Sequence, residues 1–157
     1  MLSRVAESCF WMSRYMERME TNARLLDVNL QLLLDFQDQE SHTAGRHWEA
    51  ILATLEDKER FTKLYGDEIN ADTVTEYVTF AKENPNSILS CLAIARENAR
   101  TVREQITSEM WEQLNKLYLY LKRPSARADF RNSPFEFYRR LVEGGHLFVG
   151  TTDATMT

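Results

Sequence analysis

The tightest constraint on how this chain can fold lies in its first thirty-odd residues. Apolar or small side chains stand at Leu2, Val5, Cys9, Met12, Met16, Met19, Ala23, Leu26, Leu30 and Leu33, in alternating steps of three and four. That period keeps one seam of a helix against a partner. It predicts a single helix from Leu2 to Asp35, about 50 Å long at 1.5 Å per residue. A rod of that length can serve as the spine of a whole domain.

The rest of the chain suits such a spine. Its 157 residues are 43% hydrophobic and 27% charged, the balance of one globular domain over 1–157. Only five glycines and three prolines interrupt it, so long helices are expected. Strand signals are scarce, with no alternating β-branched run and no hairpin dipeptide. The expected fold class is all-α: a bundle of about six helices organised around the N-terminal one.

Further helices are expected from His47 (Trp48, Ile51, Leu52, Leu55 inward), around Phe61 to Tyr65, after an Asp72 N-cap, from Ser87 to Ile106, and from Met110 to Leu121. Gln37–Arg46 and Arg123–Asn132 read as polar loops. Pro85 breaks the chain before Asn86, which can cap the helix that follows. Ser133-Pro134-Phe135-Glu136 combines an N-cap, a proline at the first helical position and a capping-box glutamate. The helix that starts there runs through Phe137, Leu141 and Val142 and is weakened by Gly144 and Gly145, and Val149–Thr157 has no helical period and reads as a connector. Trp11, Trp48, Trp111, Phe135, Phe137 and Tyr138 are expected in the core.

Charge and cysteine usage narrow the function classes. A net charge of −5 argues against a nucleic-acid partner, which needs a basic face to displace phosphate counterions. Cys9 and Cys91 lie on apolar seams and read as reduced core thiols. No apolar run nears the roughly 18 residues of a membrane span, so no membrane partner is expected. The apolar start is broken by Arg4, Glu7 and Arg14, unlike a secretory leader. A cytoplasmic location is the expectation.

Two charged runs hold the chemistry. In the first, Arg14, Glu17, Arg18, Glu20 and Arg24 occupy the middle of the long helix, and Phe10, Trp11, Leu25 and Val28 fall near the same side. A helix apolar on two sides is usually enclosed, so part of this set is expected inside the bundle, paired. Local spacing offers Arg14–Glu17, Glu20–Arg24 and Arg24–Asp27. In the second run Arg96, Arg100 and Arg103 share a stripe, with Glu97 and Glu104 on either side of Arg100. The two runs can converge. They would then form an interhelical Arg–Glu network that sets register, with Glu17 and Glu20 satisfying the other helix's arginines, or an anion pocket for phosphate or carboxylate. An enzyme using Glu17 or Glu20 as acid/base is the alternative from another class.

Other constellations are thinner. Glu143 and His146 have the Glu-x-x-His spacing of di-iron bundles, but the two other histidines, His42 and His47, supply no second copy and read as exposed loop residues. Neither a metal nor a cofactor is expected, and Cys9 lacks a catalytic histidine partner in sequence.

LSRVAESCFWMSRYMERMETNARLLDVN followed by NPNSILSCLAIARENARTVREQITSEMWEQLN resembles the bacterial alpha-E domain family, helical proteins with an ER motif, onto which Glu17-Arg18 falls. The resemblance implies that the chain is the N-terminal half of a longer duplicated protein, whose open face a homodimer would cover. It also implies a protein partner of the ATP-grasp or transglutaminase-like kind, the chain itself being an accessory or binder in amide-bond chemistry. No catalytic residue of either enzyme maps onto this sequence.

Overall fold

A computed structural model of the protein describes residues 3–35 and 41–156. Eight helices and no strand are found among them: α1 (Ser3–Asp35), α2 (Ser41–Thr54), α3 (Lys58–Tyr65), α4 (Ala71–Thr79), α5 (Ile88–Thr101), α6 (Ser108–Lys122), α7 (Pro124–Asn132) and α8 (Pro134–Thr155). The all-α fold is as expected, and the long N-terminal helix organises it.

The three-four seam of α1 does what its period requires. Met12, Met16, Met19, Ala23 and Leu26 are all buried. They pack mainly on α5 and α8, and α6 closes the other side against α5 and α8. The main layer is therefore a ring of four helices, α1–α5–α6–α8. Helices α2 and α4 pack together beside α1, and α7 lies on α6 and α8.

Two features of α8 differ from what its sequence predicts. Gly144 and Gly145 do not loosen this helix; they let it approach both neighbours. A Cβ at Gly144 would stand 2.5 Å from Leu117 Cδ2 of α6, and one at Gly145 would stand 3.0 Å from Glu20 Oε1 of α1. The helix also continues to Thr155 through the supposed connector, with Phe148 buried and Thr155 Oγ1 hydrogen-bonded to Thr107 Oγ1 at 2.8 Å.

Other boundaries moved for identifiable reasons. Arg123–Asn132 is not a loop: Pro124, which ends α6, is also the first residue of α7, a position that needs no N–H. Helix α2 begins at Ser41, not His47, so His47 is a half-buried helical residue; residues 37–40 of the expected loop and the side chain of His42 lie outside the described residues. Asn70, not Asp72, caps α4, through a reciprocal capping box with Thr73. Ser87 caps α5 by accepting from Ser90 N–H, and α5 stops at Thr101 short of Ile106. Ser133 makes no side-chain cap bond at the start of α8.

The described residues do not enclose the second apolar side of α1. Phe10 is 55% exposed and Val28 54%, and Trp11 is exposed as well. Trp48, Phe137 and Tyr138 are core residues as expected, whereas Trp111 and Phe135 are half-buried. No described helix is long and apolar enough to cross a membrane.

Candidate functional site

The charged residues of α1 and α5 do not converge. They occupy separate places, and among the described residues no ion pair links the two helices. The interhelical Arg–Glu network is therefore corrected to local pairs and neutral partners. Helix packing, not spacing, decides which side chains face each other.

Arg18 turns toward the α4–α5 connection. It lies one turn before Asn22 on α1, and both reach Asn86: Arg18 Nη1 donates to Asn86 Oδ1 at 2.9 Å and Asn22 Nδ2 to the Asn86 carbonyl at 2.8 Å. The connection is itself fixed by Asn84, whose Oδ1 accepts the Asn86 N–H at 3.0 Å and whose Nδ2 donates to the Tyr77 carbonyl at 3.1 Å. The Arg18 guanidinium stands 4.9 Å from the centre of the Tyr15 ring. Arg18, Asn22, Asn84 and Asn86 line a cleft of about 350 Å³ together with Thr54, Leu55, Asp57 and Val78. Asp57 accepts from the Tyr77 hydroxyl and from Arg60 Nη1 at 3.3 Å.

Arg18 is thus half-buried, with a neutral amide as its hydrogen-bond acceptor and no carboxylate in ion-pair range among the described residues. A guanidinium offers five donors in a planar fork suited to carboxylate or phosphate. Stacked on a ring and held at one nitrogen, it keeps most of that fork free. Asn22 and Asn86 each keep one amide atom outside the hydrogen bonds just described, and Asp57, paired with Arg60, lines the same cleft.

Glu17, the other half of the motif, faces away into a groove of about 220 Å³ between α1 and α8, lined also by Ser13, Glu20, Val149 and Asp153. It pairs with Arg14 at 3.3 Å, both side chains more than half exposed. Deeper in, Glu20 contacts Arg24 Nε at 3.6 Å and His146 Nε2 at 3.2 Å. Arg24 Nη2 also lies 2.5 Å from His146 Nε2. Arginine only donates, so that contact needs a bare Nε2, while a bond to Glu20 needs a protonated one; the imidazole can serve only one at a time. The Arg24–Asp27 pair is replaced by these contacts, Asp27 accepting from Gln31 at 3.0 Å.

On α5, Arg100 pairs with Glu97 alone, at 2.5 and 3.1 Å, and its hydrogen bond holds the Glu97 carboxyl below its ordinary value. Arg96 and Arg103 point instead at α6. Arg96 Nε donates to Asn115 Oδ1 at 2.7 Å, and its guanidinium lies 5.5 Å from the Trp111 ring and 4.8 Å from Tyr118. Arg103 stands 5.5 Å from Trp111.

The remaining candidates do not assemble. His146 is engaged by Glu20 and Arg24, Glu143 is exposed, and no described group of three or more His, Cys, Asp or Glu is placed to hold a metal ion. Burial pushes the Cys91 thiol up to about 12 and raises Cys9 as well, so neither is a ready thiolate. Sequence reasoning missed Asn22, Asn84, Asn86 and Asp57, whose roles depend on residues 64 and 68 positions apart. The one signal it held was the turn-prone Asn84-Pro85-Asn86.

No curated protein and no solved structure matches the chain. A family does, across residues 1–157, and it is described as a predicted alpha-helical domain with a conserved ER motif. The chain belongs to that family, Alpha-E.

Proposed function

We propose that this protein is a binding module that holds an anionic, peptide-like ligand at Arg18 for an enzyme making or breaking amide bonds. The observation that carries this reading is the state of Arg18: half-buried in a cleft, stacked on Tyr15, and bonded to a neutral amide. A carboxylate of the ligand completes the arginine fork, and the asparagine amides take its peptide groups. Asp57 faces the ligand's amino group. The ATP-grasp or transglutaminase-like partner follows from the sequence resemblance, as an enzyme to which such a ligand would be delivered.

Calorimetric titration with free dipeptides, and with the same dipeptides amidated at the C-terminus, tests the site. Binding of the free acids that is lost on amidation and in Arg18→Met, at a melting midpoint within about 4 °C of wild type, supports it. Unchanged binding with altered stability in Arg18→Met assigns the arginine to helix register instead.

A further inference from the structure

Opposite its core seam, α1 carries a second row of residues with the same three-four step. Phe10, Val28 and Leu32 stand in it as exposed apolar side chains, and Arg14, Glu17, Thr21 and Arg24 lie between them, exposed as well. All of them fall inside α1 (Ser3–Asp35) and within about 80° of its circumference, at 3.6 residues per turn. Trp11, also exposed, meets Phe10 edge-on with ring centres 5.1 Å apart. Arg14 pairs with Glu17, and Arg24 with Glu20, yet the Arg14, Glu17 and Arg24 side chains are each more than half exposed; pairs so wet hold little. The flanking charges are engaged within the fold, Arg18 by Asn86 and Glu20 by Arg24 and His146. Among the described residues nothing covers the row, which has apolar ends and a charged middle.

We infer that this row pairs antiparallel with the same row of a second copy, about a two-fold axis at Thr21. A two-fold interface requires that residue i meet j while j meets i, and the row has that symmetry. Phe10 and Leu32 are each eleven residues from Thr21, so each copy's Phe10 lies opposite the other's Leu32. Arg14 and Val28 are each seven away, which lays the arginine stem along the valine with its charge at the rim. Glu17 stands four residues before Thr21 and Arg24 three after. Across the axis they miss each other by one residue, about 1.5 Å of rise, and form one opposite-charge pair on each side. Competing arrangements of charge are worse. A parallel pair sets Arg14 on Arg14, Glu17 on Glu17 and Arg24 on Arg24, and like charges oppose docking. An antiparallel pair with its axis level with Met19 matches Phe10 to Val28 but sets Arg14 on Arg24. An anionic lipid surface suits the arginines and opposes Glu17 between them. The contact from Phe10 to Leu32 is about 33 Å long and about 10 Å wide, less than the roughly 800 Å² per partner of a stable interface. The dimer is therefore reversible and set by protein concentration.

Sedimentation equilibrium reads the pairing. The weight-average mass should climb from 18.4 kDa toward twice that as protein rises from about 5 to about 500 μM, the range of a small interface. Glu17→Arg alone and Arg24→Glu alone should each weaken self-association at least tenfold, because each creates two like-charge contacts. Mixed one to one, the two variants should associate again, since each then offers the other an opposite charge at both contacts; misfolded chains cannot do this. In a Cys9→Ser background, Thr21→Cys should cross-link to its own copy under diamide. Leu32→Cys, about 33 Å from its own copy in this register, should not. A mass fixed at 18.4 kDa across that range overturns the inference, whether or not the protein then binds anionic vesicles. So does a dimer that both charge variants leave intact, or one that cross-links through Leu32→Cys and not through Thr21→Cys.

Discussion

Helix α8 carries glycines at 144, 145 and 150, and alanine at two of them should act in opposite directions. In a helix interior, alanine is about 0.8–1 kcal/mol more favourable than glycine. At Gly150 nothing lies within 4 Å of the new Cβ, so Gly150→Ala should keep most of that gain. At Gly144 the Cβ would stand 2.5 Å from Leu117 Cδ2 and 3.1 Å from Leu117 Cγ. Because Leu117 is buried, it has to move against its own neighbours, and overpacking of this kind costs about 1–3 kcal/mol. The net for Gly144→Ala runs from near zero to a loss of about 2 kcal/mol. It should melt below Gly150→Ala by roughly 2–12 °C, at 2–4 °C per kcal/mol for a domain this size. Melting followed by circular dichroism reads the difference directly. Leu117→Ala should then cost less in the Gly144→Ala background than alone, with a coupling of about 0.5–3 kcal/mol. If Gly144→Ala stabilises as much as Gly150→Ala, α8 is not held close to α6 at that point, and the reasoning fails.

Further outcomes follow from the buried polar groups. The Tyr138 hydroxyl and Thr79 Oγ1 share a buried hydrogen bond of 2.8 Å, so Tyr138→Phe should lose about 1–3 kcal/mol in denaturant unfolding. Adding Thr79→Val should recover part of that loss, since no hydroxyl is then left unpaired. Burial raises the Cys91 thiol to about 12 and, with a hydrogen bond to Asp129, the Tyr120 phenol to about 12; Tyr77 and Tyr138 are raised too. In each the folded state holds the proton more tightly than the unfolded chain. Their stabilisation is complete below the ordinary values of 9.0 and 10.0 and is lost as pH climbs toward 12. Unfolding free energy measured against pH should fall across that window. Cys91 should resist thiol reagents at neutral pH at a rate set by opening of the fold, whereas Cys9, half-buried, should react first.

What could be read from sequence was whatever depends on period alone. The seam of α1 is one example, and the local pairs Arg14–Glu17 and Glu20–Arg24 are others, because i,i+3 and i,i+4 neighbours are fixed by helix geometry. Residues whose meaning depends on a second helix were not legible. Gly144 and Gly145 looked like weak helix formers until Leu117 and Glu20 stood opposite them. Helix α7 was hidden because Ala126 is its one fully buried side chain, so it shows almost no apolar stripe. Arg18 read as one member of a cluster converging with the arginines of α5, yet its acceptor is Asn86, 68 residues on. Arg96 and Arg103 looked like partners for the acids of α1, yet both guanidinium groups lie against Trp111 of α6.

The central claim is that Arg18 is kept short of an anion so that a ligand can supply one. Calorimetric titration of the wild-type protein with a free dipeptide, beside its C-terminal amide, tests that claim most directly. The account predicts saturable binding of the free acid, at least tenfold weaker for the amide and absent in a folded Arg18→Met protein. Equal affinity for acid and amide, or binding that survives in Arg18→Met, would contradict it.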